Sequence, residues 1–182
     1  MSTFFTIGHS TRPLAAFVDL LQAAKIELVA DVRTVPRSRT NPQYNQDTLP
    51  KALTSFHVSY RHFAALGGLR PKARDVPPKT NAFWHNASFH NFADYALSDA
   101  FHAGLAVLRD AGAKQRCAIM CAETLWWRCH RRIITDYLLN AGETVFHIIG
   151  PDQVEPATLT PAARVAAPMK LAYPAAIADL FE

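Results

Sequence analysis

The chain has 182 residues, 49% of them hydrophobic and 19% charged, and a formal charge of +4. This balance suits one globular domain with a substantial core, and the short, interrupted apolar runs exclude a membrane-spanning helix. Three cysteines, all within positions 117–129, exclude a disulfide framework.

In chain order, TFFTIG (3–8) predicts a strand that stops at Gly8. PLAAFVDLLQAAK follows with Leu14, Phe17, Val18 and Leu21 at helical spacing, capped by Ser10 or Thr11 ahead of Pro13. ELVADVR (27–33) reads as a second strand, and RTVPRSRTNPQYN as a polar, proline-punctuated loop. A helix over 47–56 leads to a third strand, HVSYRHF (57–63), and then to the long loop LGGLRPKARDVPPKTN. One long helix is expected over 92–111, ending near Gly112. RCAIMCA (116–122) is a continuous apolar strand, WRCHRRIITDYLLNAG a helix closed by Gly142, and TVFHIIG (144–150) a further strand. Residues 1–150 are thus expected to form a single α/β domain. The Ala- and Pro-rich tail, 151–182, packs on it and carries a short ending helix over 175–181.

Alternating strands and helices, with strands apolar on both faces, predict an α/β domain: three layers, with a mainly parallel sheet flanked by helices. A small or incomplete α/β barrel is the alternative, because strand order is not written in the chain. In a parallel sheet ligands bind beyond the carboxyl ends of the strands. Those ends carry Gly8-His9-Ser10, Asp31-Val32-Arg33, Gly67-Gly68 after the third strand, and Cys121-Ala122-Glu123. His9, Asp31, Arg33, Cys121 and Glu123 should therefore share one rim.

Each of these residues has two readings. Cys121 is either core packing or a thiol made reactive by a helix N-terminus and nearby arginines. Glu123 is either a first-turn acid or a proton-transfer group. Asp31 and Arg33 form a structural ion pair or contact a ligand. His9 belongs to a capping turn, or serves as a base or phosphate contact. On the following helix, Cys129 reads as buried packing, while His130 and Arg131 are placed to orient an anion beside free backbone N–H groups.

A zinc site meets obstacles in the spacing. Cys117 and Cys121 stand ~13 Å apart on a strand rising about 3.3 Å per residue. Cys129 and His130 diverge by about 100° if both are helical. A site using Cys121, one helix residue and His9 stays open, but no metal ligand is assigned and no cofactor is named. A cysteine-phosphatase loop is excluded: six residues separate Cys121 from Arg128, one too many, and none is glycine. No P-loop or dinucleotide glycine pattern is present.

Taken together, "TIGHS" (6–10), "DVRTVPRSR" (31–39), "LGG" (66–68), "CAETLWWRCHR" (121–131) and "VFHI" (145–148) resemble the bacterial and archaeal family called domain of unknown function 488. The resemblance extends in order to about Gly150, with 124–127 falling where that family varies. It implies that His9, Ser10, Asp31, Arg33, Gly67, Gly68, Cys121, Glu123, Cys129, His130 and Arg131 belong together.

The first expectation is an enzyme or binder for a small anionic ligand, a phosphate or nucleotide. Cys121, Glu123 and His9 would be its catalytic residues, with Ser10, Asp31, Arg33, Gly67, Gly68, His130 and Arg131 around the anion. The alternatives are a nucleic-acid-binding module or a metal or redox protein built on the cysteines. In the nucleic-acid reading Arg37, Arg39, Arg61, Arg70, Lys72 and Arg74 contact phosphates, and Trp84, Trp126 or Trp127 stack on bases. A cytoplasmic location is expected, since MSTFFTIGHS lacks the features of a signal peptide and the cysteines suit a reducing compartment. Oligomeric state is left open.

Overall fold

The computed structural model describes residues 1–175. The helix expected over 175–181 falls outside them but for its first residue.

Six strands form one sheet: β1 (Thr3–Gly8), β2 (Leu28–Asp31), β3 (Ser59–His62), β4 (Cys117–Cys121), β5 (Thr144–Gly150) and β6 (Gln153–Pro156). The first five are mutually parallel and β6 pairs antiparallel to β5, in the order β3-β2-β4-β1-β5-β6. The sheet is open, with β3 and β6 at its edges, so the fold is the three-layer one and not the barrel. The helices are α1 (Leu14–Ala23), α2 (Leu49–Thr54), α3 (Ala87–Tyr95), α4 (Asp99–Lys114) and α5 (Arg131–Asn140). None of the helices among the described residues is long and apolar enough to cross a membrane.

Period-two alternation divides the strand side chains between two cores. Phe5, Ile7, Val29, Ala118 and Met120 pack beneath α1 and α2, with Phe17, Leu21, Leu49 and Leu53. Phe4, Leu28, Ala30, Cys117 and Ile119 face the other way, against Phe92, Phe101, Leu105, Leu108, Ile133, Ile134 and Tyr137 of α3, α4 and α5. Burial on both faces explains why these strands read as unbroken apolar runs.

Three local expectations change. Neither Ser10 nor Thr11 caps α1: the helix starts after Pro13 without a side-chain cap, and Ser10 adopts a left-handed φ of 46° in the turn before it. The long helix over 92–111 is two helices, because Ser98 interrupts it and caps α4, its Oγ accepting the Phe101 N–H at 3.3 Å. Gly112 does not end α4, which continues to Lys114. Any Cβ there would collide with the Phe4 ring, so the glycine lets helix and sheet approach closely.

The tail carries strands that its composition hides. Besides β6, β7 (Arg164–Ala167) and β8 (Lys170–Ala172) form a separate hairpin. Their mostly exposed residues give no apolar alternation to read. Leu171 and Tyr173 are buried in the α3–α5 core, and Asp136 of α5 binds the tail. Its Oδ1 accepts the Thr160 N–H at 2.8 Å and its Oδ2 the Tyr173 hydroxyl at 3.0 Å.

Candidate functional site

The chain leaves β1 toward α1 on one face of the sheet and leaves its neighbour β4 toward α5 on the other. The gap between those departures is the topological switch point, where a crevice opens beyond the strand ends. Register places Gly8 beside Cys121 and Asp31 beside Met120. Pairing continues past the strands: His9 N–H donates to the Cys121 carbonyl at 3.0 Å, Ser10 N–H to Ala122 at 2.9 Å, and Val32 N–H to Met120 at 3.0 Å.

A cavity of about 630 Å³ opens there. His9, Ser10, Arg33, Gly68, Cys121 and His130 line it, together with the 34–41 loop through Thr34, Arg37, Ser38, Thr40 and Asn41. A smaller adjoining hollow of about 210 Å³ shares Gly68, Cys121 and His130 and adds Glu123, Arg128 and Cys129. Of the sequence-derived candidates, His9, Ser10, Arg33, Gly68, Cys121, Glu123 and His130 therefore border these two spaces. Asp31, Gly67 and Arg131 do not.

Asp31 lies beneath the floor, with no exposed surface. Its carboxylate accepts Arg33 Nε at 2.9 Å and Nη2 at 2.6 Å, and the Tyr60 hydroxyl at 2.6 Å. Arg33 Nη2 also donates to the Tyr44 carbonyl at 2.7 Å, and its Nη1 lies 3.2 Å from His9 Nε2. Burial opposes the charge on Arg33, but the bonds it donates to Asp31 more than offset it, so the guanidinium is held firmly charged. Burial pushes the Tyr60 hydroxyl pKa upward, and its bond to Asp31 adds to this.

His9 is sandwiched. Its ring stacks on Tyr44 at 4.2 Å between centroids, and Nδ1 lies 2.8 Å from the Ser10 carbonyl. Since a carbonyl only accepts, Nδ1 carries the hydrogen and Nε2 accepts from Arg33. Burial lowers the His9 pKa to about 4, and Arg33 contributes in the same direction. The neutral ring stands beside Arg33 in the cavity wall, with both nitrogens already engaged.

The two glycines are steric necessities. A Cβ on Gly67 would meet Thr34 Oγ1 at 2.8 Å, and one on Gly68 would strike the His130 ring. Their loop lies flat on the site, and the Leu69 N–H closes on Thr34 Oγ1 at 2.8 Å.

Arg131 is buried and turns inward. Its Nε donates to Cys129 Sγ at 3.2 Å and its Nη2 to the Glu123 carbonyl. It fastens the loop after β4 instead of facing the cavity. Glu123 is exposed, with Oε1 accepting the Leu125 N–H at 3.0 Å.

Cys129 and His130 are not on a regular helix. A short turn, Trp126–Arg128, precedes them, Cys129 is extended (φ −126°, ψ 148°), and α5 starts at Arg131. The 100° divergence expected from helical geometry therefore does not arise. Instead Cys121, Cys129 and His130 bring their sulfurs and a ring nitrogen within 4.8 Å of one another. All three cysteines are unbridged. Burial alone would push the Cys129 thiol up, but the bond from Cys121 and the Arg131 charge bring it well below the ordinary value. The contact with Cys129, together with shielding by the protein around it, holds the Cys121 thiol well above that value. Cys117, at the far end of β4, is pushed up to about 12 by burial.

Tyr44 and Tyr60, which hold His9 and Asp31, were not singled out in the sequence, nor were Ser38, Thr40 and Asn41. Tyr60 sits at an alternate position of HVSYRHF, a signal available but ambiguous. Of the residues in the nucleic-acid reading, Trp84, Trp126 and Arg70 are engaged elsewhere, while Trp127 is exposed. Trp84 is buried beneath Arg132, and Trp126 stacks on His147 at 4.1 Å. Arg70 covers the Tyr95 ring at 3.7 Å and donates to the Gly67, Ala64 and Ala65 carbonyls.

The chain has no match among curated proteins and none among solved structures. A family model described as "Domain of unknown function DUF488" matches residues 13–138. That span takes in Asp31, Arg33, Gly67, Gly68, Cys121, Glu123, Cys129, His130 and Arg131, and it covers well over half of the sequence. The chain belongs to the DUF488 domain family.

Proposed function

We propose that the protein binds a compact anionic small molecule in the cavity between β1, β2 and β4 and acts on it there. The observation that carries this reading is the charged Arg33, fixed by Asp31 and Tyr44 and applied to the cavity wall beside His9. Around it stand the hydroxyls of Ser10, Ser38 and Thr40 and the amide of Asn41, with Arg37 on the rim. These groups suit the oxygens of a phosphate or carboxylate, and a cavity of about 630 Å³ suits a molecule of nucleotide size. Cys121 and Glu123 stand at the edge where chemistry on a bound ligand would take place. The three unbridged cysteines fit a reducing cytoplasm.

The test is calorimetric titration with inorganic phosphate and with nucleoside monophosphates, adenosine serving as the uncharged control. Binding of an anion but not of adenosine is expected, and at 100-fold excess over Kd it should stabilise the fold by about 2.7 kcal/mol. Arg37→Ala and Ser10→Ala should weaken it without altering the melting temperature of the free protein. Indifference to every anion, or binding by both variants as tight as that of the wild type, would remove this reading.

A further inference from the structure

We infer that Cys121, Cys129 and His130 form a three-ligand site for a thiophilic divalent cation of the zinc type. Its fourth position opens into the hollow lined by Glu123. The inference stands apart from the anion reading, because metal uptake is measured with no other ligand present.

The geometry begins with His130. Its Nε2 lies 3.0 Å from the Val32 carbonyl. A carbonyl can only accept, so Nε2 carries a hydrogen, and in the neutral ring Nδ1 keeps the lone pair that a metal needs. This is the arrangement in which metal-binding histidines are held, with the outer nitrogen donating to a backbone carbonyl and the inner one free to ligate. The ring cannot swing away. Gly68 lies flush against one side, and Phe92 meets the ring at 5.0 Å between centroids.

Nδ1 points at sulfur, 3.6 Å from Cys129 Sγ. With metal–sulfur and metal–nitrogen bonds of about 2.3 Å and 2.0 Å at tetrahedral angles, the two ligand atoms would stand about 3.5 Å apart. The pair is therefore already at the spacing one ion requires. Cys121 Sγ completes the triangle, all three atoms falling within 4.8 Å of one another. Arg131 Nε donates to Cys129 Sγ at 3.2 Å, the kind of outer N–H bond that steadies a ligating thiolate.

Two thiolates and an imidazole select zinc over magnesium or calcium, which prefer oxygen. Three protein ligands beside open space describe a site with an exchangeable position, unlike the closed four-ligand structural sites. All three ligands border the hollow of about 210 Å³ that Glu123 also lines. A metal-bound water there would lie in a hollow whose wall includes Glu123, next to the larger cavity.

The test uses the full chain, reduced, freed of metal with a chelator, and titrated with Co²⁺ alone. One Co²⁺ per chain is expected, with a sulfur-to-cobalt charge-transfer band and the visible bands of a tetrahedral site, displaced by one equivalent of Zn²⁺. Cys121→Ser and His130→Ala should each weaken binding by more than about 100-fold, the upper end for loss of a mere outer-shell partner. Cys117→Ala should leave the spectrum intact. Circular dichroism on each variant separates lost ligation from lost folding, and Cys121→Ser, at a partly exposed position, covers the case in which a change at buried Cys129 prevents folding. The inference is overturned if the folded wild type shows no charge-transfer band, or if His130→Ala binds as the wild type does. It is equally overturned if peptide mapping finds a Cys121–Cys129 disulfide and the protein, once reduced, takes up no metal.

Discussion

Arg33 closes on Asp31 through two separate hydrogen bonds, Nε to Oδ1 at 2.9 Å and Nη2 to Oδ2 at 2.6 Å, with both side chains buried. The two residues are neighbours but one in sequence, and the backbone N–H of Arg33 also binds Oδ1 at 3.0 Å. A planar fork held on a carboxylate in this way has little freedom left. One short stretch of chain thereby fixes Arg33 in the cavity wall beside His9, with Asp31 and Tyr60 holding it from beneath.

Removing both members of this pair should cost less than the two single removals taken together. Asp31→Asn or Arg33→Met alone leaves a buried, uncompensated charge, and a loss of about 3–5 kcal/mol is expected for either. The Asp31→Asn/Arg33→Met double variant should lose clearly less than the two single losses summed. Urea unfolding of the four proteins measures the coupling. Strict additivity would show that the pair contributes no interaction of its own.

Gly68→Ala and Gly142→Ala should destabilise for different reasons. At Gly68 the added methyl strikes the His130 ring, held by the Val32 carbonyl and Phe92, and a cost of about 1–3 kcal/mol is expected from overpacking. At Gly142, with φ of +82° and open space around it, only backbone strain acts, at about 1–2 kcal/mol. The histidine side-chain NMR signals distinguish the two: the Gly68 variant should shift that of His130, and the Gly142 variant should leave it in place.

Acidification should weaken the fold through His147. Its ring is buried, stacked on Trp126, with Nδ1 2.7 Å from Thr6 Oγ1. Burial lowers its pKa from 6.5 to about 4, and the Arg131 charge adds to the effect. Between those values the unfolded chain takes up a proton that the folded protein refuses. This contribution to stability is complete above pH 6.5, declines as the pH falls toward 4, and changes little below. Melting curves of the wild type and His147→Gln across that window are the check. The wild type should lose more stability than the variant, and parallel curves would mean that His147 protonates freely in the folded state.

Much of the architecture was legible along the chain because its signals are local. The apolar runs at residues 3–8, 27–33, 116–122 and 144–150 mark strands buried on both faces, and helical spacing marks what lies between them. The residues just beyond those strands are likewise set by chain order, which is why His9, Arg33 and Cys121 could be named as neighbours beforehand. The split at Ser98 was harder to see, since a capping hydroxyl competes with a run of residues that all favour helix. The tail strands left no mark, because their exposed residues carry no hydrophobic alternation.

Strand order and side-chain direction belong to the tertiary structure. Only the placement of β4 between β2 and β1 makes the switch point, and only the extended backbone at Cys129 turns two adjacent residues toward Cys121. His130 is oriented by a carbonyl 98 residues earlier in the chain, a bond that no local pattern encodes. The same long-range packing turns Arg131, which had read as an anion contact, inward onto the loop after β4, and leaves Glu123 at the edge of the smaller hollow. Periodicity reports which residues must leave water. Which partner each polar group finds there is decided by the folded chain as a whole.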